Sequence, residues 1–375
     1  MYNYKYNDFS WIDPLNDSAN TDLKYVKKVF SILETGQSVE LLEKKPQPVL
    51  GSGSVRNLKS RSRVFKTGGT SGMPSQVFHD TTSIQSAVSG LQHRIGSAPI
   101  SSFCCLPLSH VGGWMQVERA KITKGSVIFS NYKELSKLDL SSVLRNRWIS
   151  LVPTQLHFLL QSQLGLINLR YAKGVFTGGS KITEKDLNQI RFNEIPVFPC
   201  YGMSETAGMI TLLDSSKFLN GINGVGECLP SAMIRLENNK VSIKTKSLCY
   251  QKNTTTLDSS HWFKTNDLAF YEKDIGYQIK GRTDRIINTG GKKVNPEEIE
   301  SVILGHPDVL QCLVVGRADE HWVEKIVCFV VLKNARLHSI VAFTRARLVQ
   351  YQNPKEWNVV SQLPVSEMGK IIRLD

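Results

Sequence analysis

At 375 residues the chain is long enough for two domains, and a hydrophobic content of 41% supports a real core. Its formal charge of +13 favours anionic partners (phosphorylated or carboxylated small molecules, nucleic acid, a membrane surface) or else is a solvated basic face. No block of five like charges occurs, which counts against nucleic acid.

Seven scattered cysteines without a CxxC pair, and histidines away from zinc-ligand spacing, argue against a disulfide framework or a structural zinc. The stretch MYNYKYNDFSWIDPLND is polar and aromatic, unlike a signal peptide, and no apolar run approaches the roughly 20 residues of a spanning helix. A soluble protein of the reducing cytoplasm, with no membrane span, is expected.

In chain order, Leu23, Val26, Phe30 and Leu33 predict a helix over 18–36, with Gly36 as its C-cap. A short extended piece and a flexible loop follow, KPQPVLGSGS. Arg63-Val64-Phe65 leads into a loop at 67–74, after which Ile84, Val88, Leu91 and Ile95 form one helical face. Strand-like runs stand at 103–106, 126–130, 148–152, 174–176 and 196–199, with helix-like pieces such as 154–163 and 183–190 between them. This alternation predicts an α/β fold with a mostly parallel sheet. Short alternating pieces over 225–274 predict an antiparallel subdomain. The charge-rich stretch 281–300 reads as a boundary. Beyond it lie a helix at 296–304 with Glu297 and Glu298 in its first turn, strands at 312–315 and 325–332, a helix at 341–350 and an extended tail from 357.

Several segments carry chemistry. Thr67, Gly68, Gly69, Thr70, Ser71 and Gly72 combine glycines, whose backbone N–H groups approach a phosphate closely, with hydroxyls that donate to it. Without Gly-Lys-Ser/Thr this is no Walker loop, and a flexible turn accounts for it equally well. The runs 106–113, 177–180 and 201–206 each sit just past a strand-like run, where open α/β sheets bind ligands. Glu205 is a hard oxygen ligand suited to magnesium, with Ser204 beside it to donate to phosphate. Asp267 offers a carboxylate to ribose hydroxyls and Arg282 can donate to the same sugar. Lys370 rides on the tail; a lysine near a terminus is usually just solvated.

Taken in this order, the segments resemble the adenylate-forming superfamily of acyl-CoA synthetases, which includes luciferases and peptide-synthetase adenylation domains. The family's Thr/Ser/Gly loop running through Gly-x-Pro-Lys matches 67–74. Tyr-Gly-x-Thr-Glu matches 201–205, Thr-Gly-Asp matches 265–267, Gly-Arg-x-Asp matches 281–284, and Pro-x-x-x-x-Gly-Lys matches 364–370. The likeness spans 65–373. It implies a large N-terminal AMP-binding domain (1–281, mostly parallel sheets plus an antiparallel subdomain), a hinge (282–286) and a small mobile α+β C-terminal domain (287–375).

The resemblance also implies roles. Residues 67–72 would cradle the ATP phosphates. Gly178, Gly179 and Ser180, with Tyr201, Gly202, Met203 and Ser204, would border the adenylate. Glu205 would hold Mg2+, and Asp267 and Arg282 the ribose. Lys370 would stabilise charge as a carboxylate attacks the α-phosphate. Rotation about Asp284 would then remove Lys370 and bring Gly290 and Gly291 to the CoA channel. His110 and Gly113, with Trp114, Gln116 and Arg119 nearby, are candidate acyl-pocket residues.

Three features depart from the family. Ser75 stands where a lysine usually ends the loop, with Lys66 as a compensating candidate. Asn266 replaces a glycine, and as the next-best residue for a left-handed turn it would keep that loop. The part before the phosphate loop is also short. The compact chain looks most like the o-succinylbenzoate–CoA ligases of menaquinone and phylloquinone synthesis, which implies a small aromatic or dicarboxylic acid, ATP and CoA as substrates. Another aryl- or acyl-CoA ligase, a module loading a carrier protein, and a binding-only relative are the alternatives.

Overall fold

The computed structural model describes residues 12–13, 17–35, 37, 39–42, 46–48, 59–67, 75–96, 98–253, 255–334 and 336–364. Apolar runs such as Val127-Ile128-Phe129 are buried on both faces, as suits strands of a parallel sheet covered by helices. Eight strands form this sheet, in the order Ile12–Asp13, Val127–Phe129, Ser102–Cys104, Trp148–Leu151, Gly174–Thr177, Val197–Met203, Gly208–Leu212 and Glu227–Cys228. It is parallel through Val197–Met203, and the last two strands join antiparallel. From Ser102–Cys104 the chain steps outward to Val127–Phe129, then returns on the other side as Trp148–Leu151. Loops diverge at such a reversal, which opens a crevice at the carboxyl ends of the strands.

A second sheet carries the flanks of the hydroxyl-rich loop. Its order is Thr255–Thr256, Gln251–Lys252, Ser75–His79, Arg63–Thr67, Val39–Leu41 and Gln47–Pro48. One expectation is corrected here: no helix follows the loop directly. Its flanking strands are antiparallel neighbours with Thr67 opposite Ser75. Helix Thr81–Arg94 begins only after Asp80, whose Oδ1 accepts from the Ser83 N–H at 2.8 Å. Five residues of strand were inconspicuous beside the strong helical repeat that follows them.

The alternating pieces form an antiparallel sheet of Ala232–Glu237, Lys240–Thr245, Phe263–Glu272 and Gly276–Arg282. After a short turn at Thr283–Arg285 the chain enters another sheet, Lys292–Val294, Ile287–Thr289, Val323–Leu332 and Val309–Asp319, with Glu356–Val359 parallel to Val323–Leu332. Helices Pro296–Leu304 and Leu337–Arg345 cover it around Ile299, Ile303, Val314, Ile326 and Ile340. The whole is thus α/β with a small α+β unit at its end. Among the described residues no helix is long and apolar enough to cross a membrane.

Two further boundaries differ from expectation. The helix predicted at 154–163 is split into Pro153–Leu160 and Gln163–Tyr171, because the Ser162 hydroxyl accepts from the Gly165 N–H (3.2 Å) and caps a new start. The helix expected at 341–350 begins at Leu337, whose side chain packs with buried Ile340, and stops at Arg345.

The loop strand is tied to helix Val111–Thr123 by a buried ion pair. Arg63 Nη2 lies 2.7 Å from Glu118 Oε1, and Trp114 Nε1 donates to the same oxygen at 2.8 Å. Trp114 is therefore a core residue, packed on Phe30 with ring centroids 5.7 Å apart. Removing one member would strand a buried charge. Glu118→Ala is expected to cost about 3–5 kcal/mol in urea denaturation. A loss below about 1 kcal/mol, the level of an exposed pair, would show that the pair does not hold the two elements together.

Candidate active site

The run from Tyr201 to Glu205 closes the parallel part of the main sheet. Strand Val197–Met203 turns through Ser204–Thr206 into Gly208–Leu212, and the register shifts between Tyr201 and Gly202. The backbones approach closely there: a Cβ on Gly202 would lie 2.0 Å from the Gly208 carbonyl oxygen. Thr206 closes the turn by accepting from the Met203 N–H (3.1 Å) and donating to the Gly208 carbonyl (2.7 Å). Outside contacts hold the turn as well. The Cys249 N–H donates to the Glu205 carbonyl at 2.7 Å, and His79 Nε2 donates to the Ser204 carbonyl at 2.7 Å. The Glu205 carboxylate accepts from Lys252 Nζ at 2.5 Å.

Beside this turn lies a chain of polar contacts. Tyr201 donates its hydroxyl to Asp267 Oδ2 at 2.5 Å, and Arg282 Nη1 reaches Asp267 Oδ1 at 3.1 Å. Asp267 and Arg282 face each other across adjacent strands. Arg282 also grips Asp284 with two bonds, Nε to Oδ1 (2.9 Å) and Nη2 to Oδ2 (2.8 Å). Burial raises the Asp267 pKa despite the arginine beside it, and burial with the Asp267 charge pushes the Tyr201 hydroxyl well up. The bonds to Asp284 raise Arg282 further, so it stays charged. Asn266 makes no left-handed turn; it lies within strand Phe263–Glu272 without a positive φ, and its amide donates to Asp284 Oδ2 at 3.3 Å.

At the hydroxyl-rich loop, only its edges fall among the described residues: Thr67 donates to the Ser75 carbonyl at 3.2 Å, while residues 68–74 lie outside them. Lys66, the compensating candidate, pairs with Glu40. Its ammonium lies 3.4 Å from Glu40 and is half exposed. Lys370 also lies outside the described residues. Gly178 and Gly179 follow strand Gly174–Thr177, and a Cβ on Gly178 would lie 2.7 Å from the Cys200 carbonyl; Gly179 takes a φ of +91°, and both Gly179 and Ser180 are exposed. Turn residues Gly290 and Gly291 join Ile287–Thr289 to Lys292–Val294, with φ of +55° and +77°. The Gly290 N–H donates to the Trp322 carbonyl at 2.7 Å.

Helix Val111–Thr123 starts at His110 and leaves the carboxyl end of Ser102–Cys104, at the reversal of strand order. Gly113 lets it sit against the preceding loop, since a Cβ would lie 2.1 Å from the Pro107 carbonyl. Two turns on is Arg119, whose guanidinium is 5.9 Å from the Phe176 ring. Burial lowers its pKa to about 10, and burial pushes the neighbouring Cys104 and Cys200 thiols up to about 12, so they stay neutral. Among the described residues no carboxylate pairs with it. Gln116 Oε1, Ser109 Oγ and Thr177 Oγ1 are likewise buried without a hydrogen-bond partner.

The structure thus brings Tyr201, Asp267, Arg282 and Asp284 into one network, with Glu205 at the turn that follows Tyr201. Sequence reasoning missed His79 and Lys252. The signal for His79 was the short apolar run Val77-Phe78 before it; for Lys252 only its tertiary pairing is informative.

The family model of AMP-binding enzymes matches residues 57–245, half of the chain, and that of the AMP-binding enzyme C-terminal domain matches 298–370. The chain belongs to the AMP-binding enzyme family. Among curated relatives, the 2-succinylbenzoate–CoA ligase of Listeria monocytogenes serotype 4b (strain F2365) is 26% identical over 370 residues, covering 95% of this chain and 78% of the relative. The 2-succinylbenzoate–CoA ligase of Bacillus subtilis (strain 168) is 24% identical, covering all of this chain and 81% of its own length. The solved o-succinylbenzoate CoA synthetase of Bacillus subtilis, in complex with its acyl-adenylate intermediate, superposes with a TM-score of 0.73 at 23% identity, covering 83% of this chain and 68% of that one. The last likeness shows the shared fold.

His79 carries a pH prediction. Burial holds it down to about 4 from an ordinary 6.5, so between these values it is neutral when folded and protonated when unfolded. The unfolded chain then binds the extra proton, and stability is lost as pH falls from about 6.5 towards about 4. Denaturation from about pH 7.5 to about pH 5 should cost the wild type ~2 kcal/mol more than His79→Gln. Parallel pH profiles would contradict a buried neutral His79.

Proposed function

We propose that the chain is an ATP-dependent carboxylate–CoA ligase acting on o-succinylbenzoate, in the cytoplasm, as part of menaquinone or phylloquinone synthesis. The buried guanidinium of Arg119 is what supports this most. Among the described residues it has no carboxylate of its own, and its Nη2 would lie 3.8 Å from a Cβ on Gly208, just past the carboxyl end of strand Val197–Met203; a site for a dicarboxylic acid requires such a group, since one carboxylate is activated while the other pairs with the arginine. The curated relatives' names point the same way.

In the first half-reaction, a carboxylate oxygen of the acid attacks the α-phosphorus of ATP, a phosphorus–oxygen bond forms, and pyrophosphate leaves. Asp267 accepts from the ribose hydroxyls, and Arg282, held by Asp284, donates to the same sugar. Residues 67–72 donate to the phosphates. Tyr201, Gly202, Met203 and Ser204, with Gly178, Gly179 and Ser180, border the adenylate, and His110 and Gly113 the acyl group. Lys370 stabilises the charge on the attacked phosphate. In the second half-reaction the CoA thiol attacks the acyl carbon and AMP leaves. The small domain (287–375) turns about the hinge at 282–286, withdrawing Lys370 and bringing Gly290 and Gly291 to the thiol channel. The chain supplies no covalent nucleophile, so its work is positioning and charge stabilisation.

Glu205 suits a magnesium ion carried on the phosphates. Magnesium keeps several waters and needs only one or two carboxylates, and among the described residues no cluster of three His, Cys, Asp or Glu offers a caged site. When bound, it would neutralise phosphate charge.

Three measurements test the proposal. With a panel of acids, o-succinylbenzoate should support both pyrophosphate exchange and CoA-thioester formation; turnover of benzoate or a fatty acid but not o-succinylbenzoate would reject the substrate, and exchange without thioester would favour carrier loading. Arg119→Met should raise KM for the dicarboxylic acid by at least about tenfold while leaving KM for ATP within about twofold. Equal change in both would remove Arg119 from the acyl pocket. In addition, Lys370→Ala should abolish adenylation yet largely spare thioester formation from supplied acyl-adenylate. Equal loss of both half-reactions would contradict the rotating-domain mechanism.

A further inference from the structure

No lysine or arginine occurs from Thr67 to Ser75, so the hydroxyl-rich loop has no cation of its own to meet a triphosphate. The sheet supplies one from another part of the chain. Strand Gln251–Lys252 runs antiparallel along the outer side of Ser75–His79, with Gln251 opposite Phe78 and Lys252 opposite Val77. Asn253 locks this register: its N–H donates to the Gln76 carbonyl (2.7 Å), and its Oδ1 accepts from the Gln76 N–H (2.7 Å).

Side chains directly opposite each other in a sheet share a face, and alternate residues of one strand do too. Lys252 therefore shares a face with Val77 and Ser75, and Ser75 with Thr67, its partner across the hairpin. Lys66 falls on the other face and pairs with Glu40. Lys59 pairs with Asp80 and Arg63 with Glu118, so neither rests on the Glu205 carboxylate. Lys252 reaches Glu205, the carboxylate read above as the magnesium ligand, at 2.5 Å, and about a third of its side chain is exposed.

We propose that Lys252 is the phosphate-binding cation of this site: its ammonium rests on Glu205 in the free chain and transfers to the terminal phosphate oxygens when nucleotide binds, releasing Glu205 for the metal. A lysine suits the exchange. Its charge is a compact point on a flexible stem, able to leave one anion for another within a few ångströms, whereas a forked guanidinium holds a carboxylate by two bonds. The pair also keeps the resting site neutral, so neither the carboxylate nor the ammonium is left uncompensated before ATP arrives. This inference rests on the adenylating function proposed above.

Equilibrium binding of ATP and of AMP, with magnesium and without acid or CoA, is the test. Lys252→Met should weaken ATP at least about tenfold and leave AMP within about twofold, because AMP lacks the terminal phosphates. Lys252→Arg should retain most of the ATP affinity, which separates loss of charge from loss of fold. Adding Ser75→Lys to Lys252→Met should restore ATP binding, by returning a cation to the same face. Unchanged ATP affinity in Lys252→Met, or an equal fall for AMP, would overturn the proposal. Failure of the wild type to bind either nucleotide would be a different result, refuting the adenylating function and this inference with it.

Discussion

Much of the site depends on how one arginine is shared. Asp267 is buried, and a buried carboxylate needs a partner. Arg282 supplies it from the opposite strand while its other edge holds Asp284, the middle residue of the turn out of the sheet. The group that neutralises the buried Asp267 carboxylate therefore also fixes the start of the path into the small α+β unit. The next residue continues the pattern, since Arg285 pairs with Glu297 and Glu300 of helix Pro296–Leu304. Asn295, the cap of that helix, donates back to the Lys280 carbonyl at 2.7 Å. Charge chemistry and chain direction meet over a few residues, which is why the stretch 281–300 reads at once as boundary and as site.

The second organising feature is polar support from behind. The loop strand, helix Val111–Thr123 and the turn at Glu205 are each held by a polar contact: Arg63 to Glu118, His79 to Ser204, and the Cys249 N–H to Glu205. Such contacts hold geometry more than they add stability, because a buried polar group is costly only when its partner is lost.

Residues with distinctive chemistry were the most legible part of the sequence: Glu205, Asp267 and Arg282 stand out by kind and spacing, and the structure joins Arg282 to Asp267. Strong periodicity also carried through, as in helix Pro296–Leu304 and in the continuous apolar strands of the parallel sheet. What failed were local inferences where tertiary pairing decides. Asn266 suggested a left-handed turn, but strand pairing on one side and Asp284 on the other keep it extended. Lys66 is adjacent to the loop in sequence, yet strand alternation turns it away, while Lys252, far along the chain, is brought to the same face by strand pairing. His79 follows the short apolar run Val77-Phe78, but its meaning appears only once the Ser204 carbonyl is placed against it.

The central claim is that a substrate carboxylate becomes joined to the α-phosphate before the thioester forms. Turnover with o-succinylbenzoate labelled with oxygen-18 in the reacting carboxylate measures this directly. Mass spectrometry of the products should find one labelled oxygen in AMP and none in pyrophosphate. Unlabelled AMP, or label in inorganic phosphate, would contradict an acyl-adenylate and the site built around it.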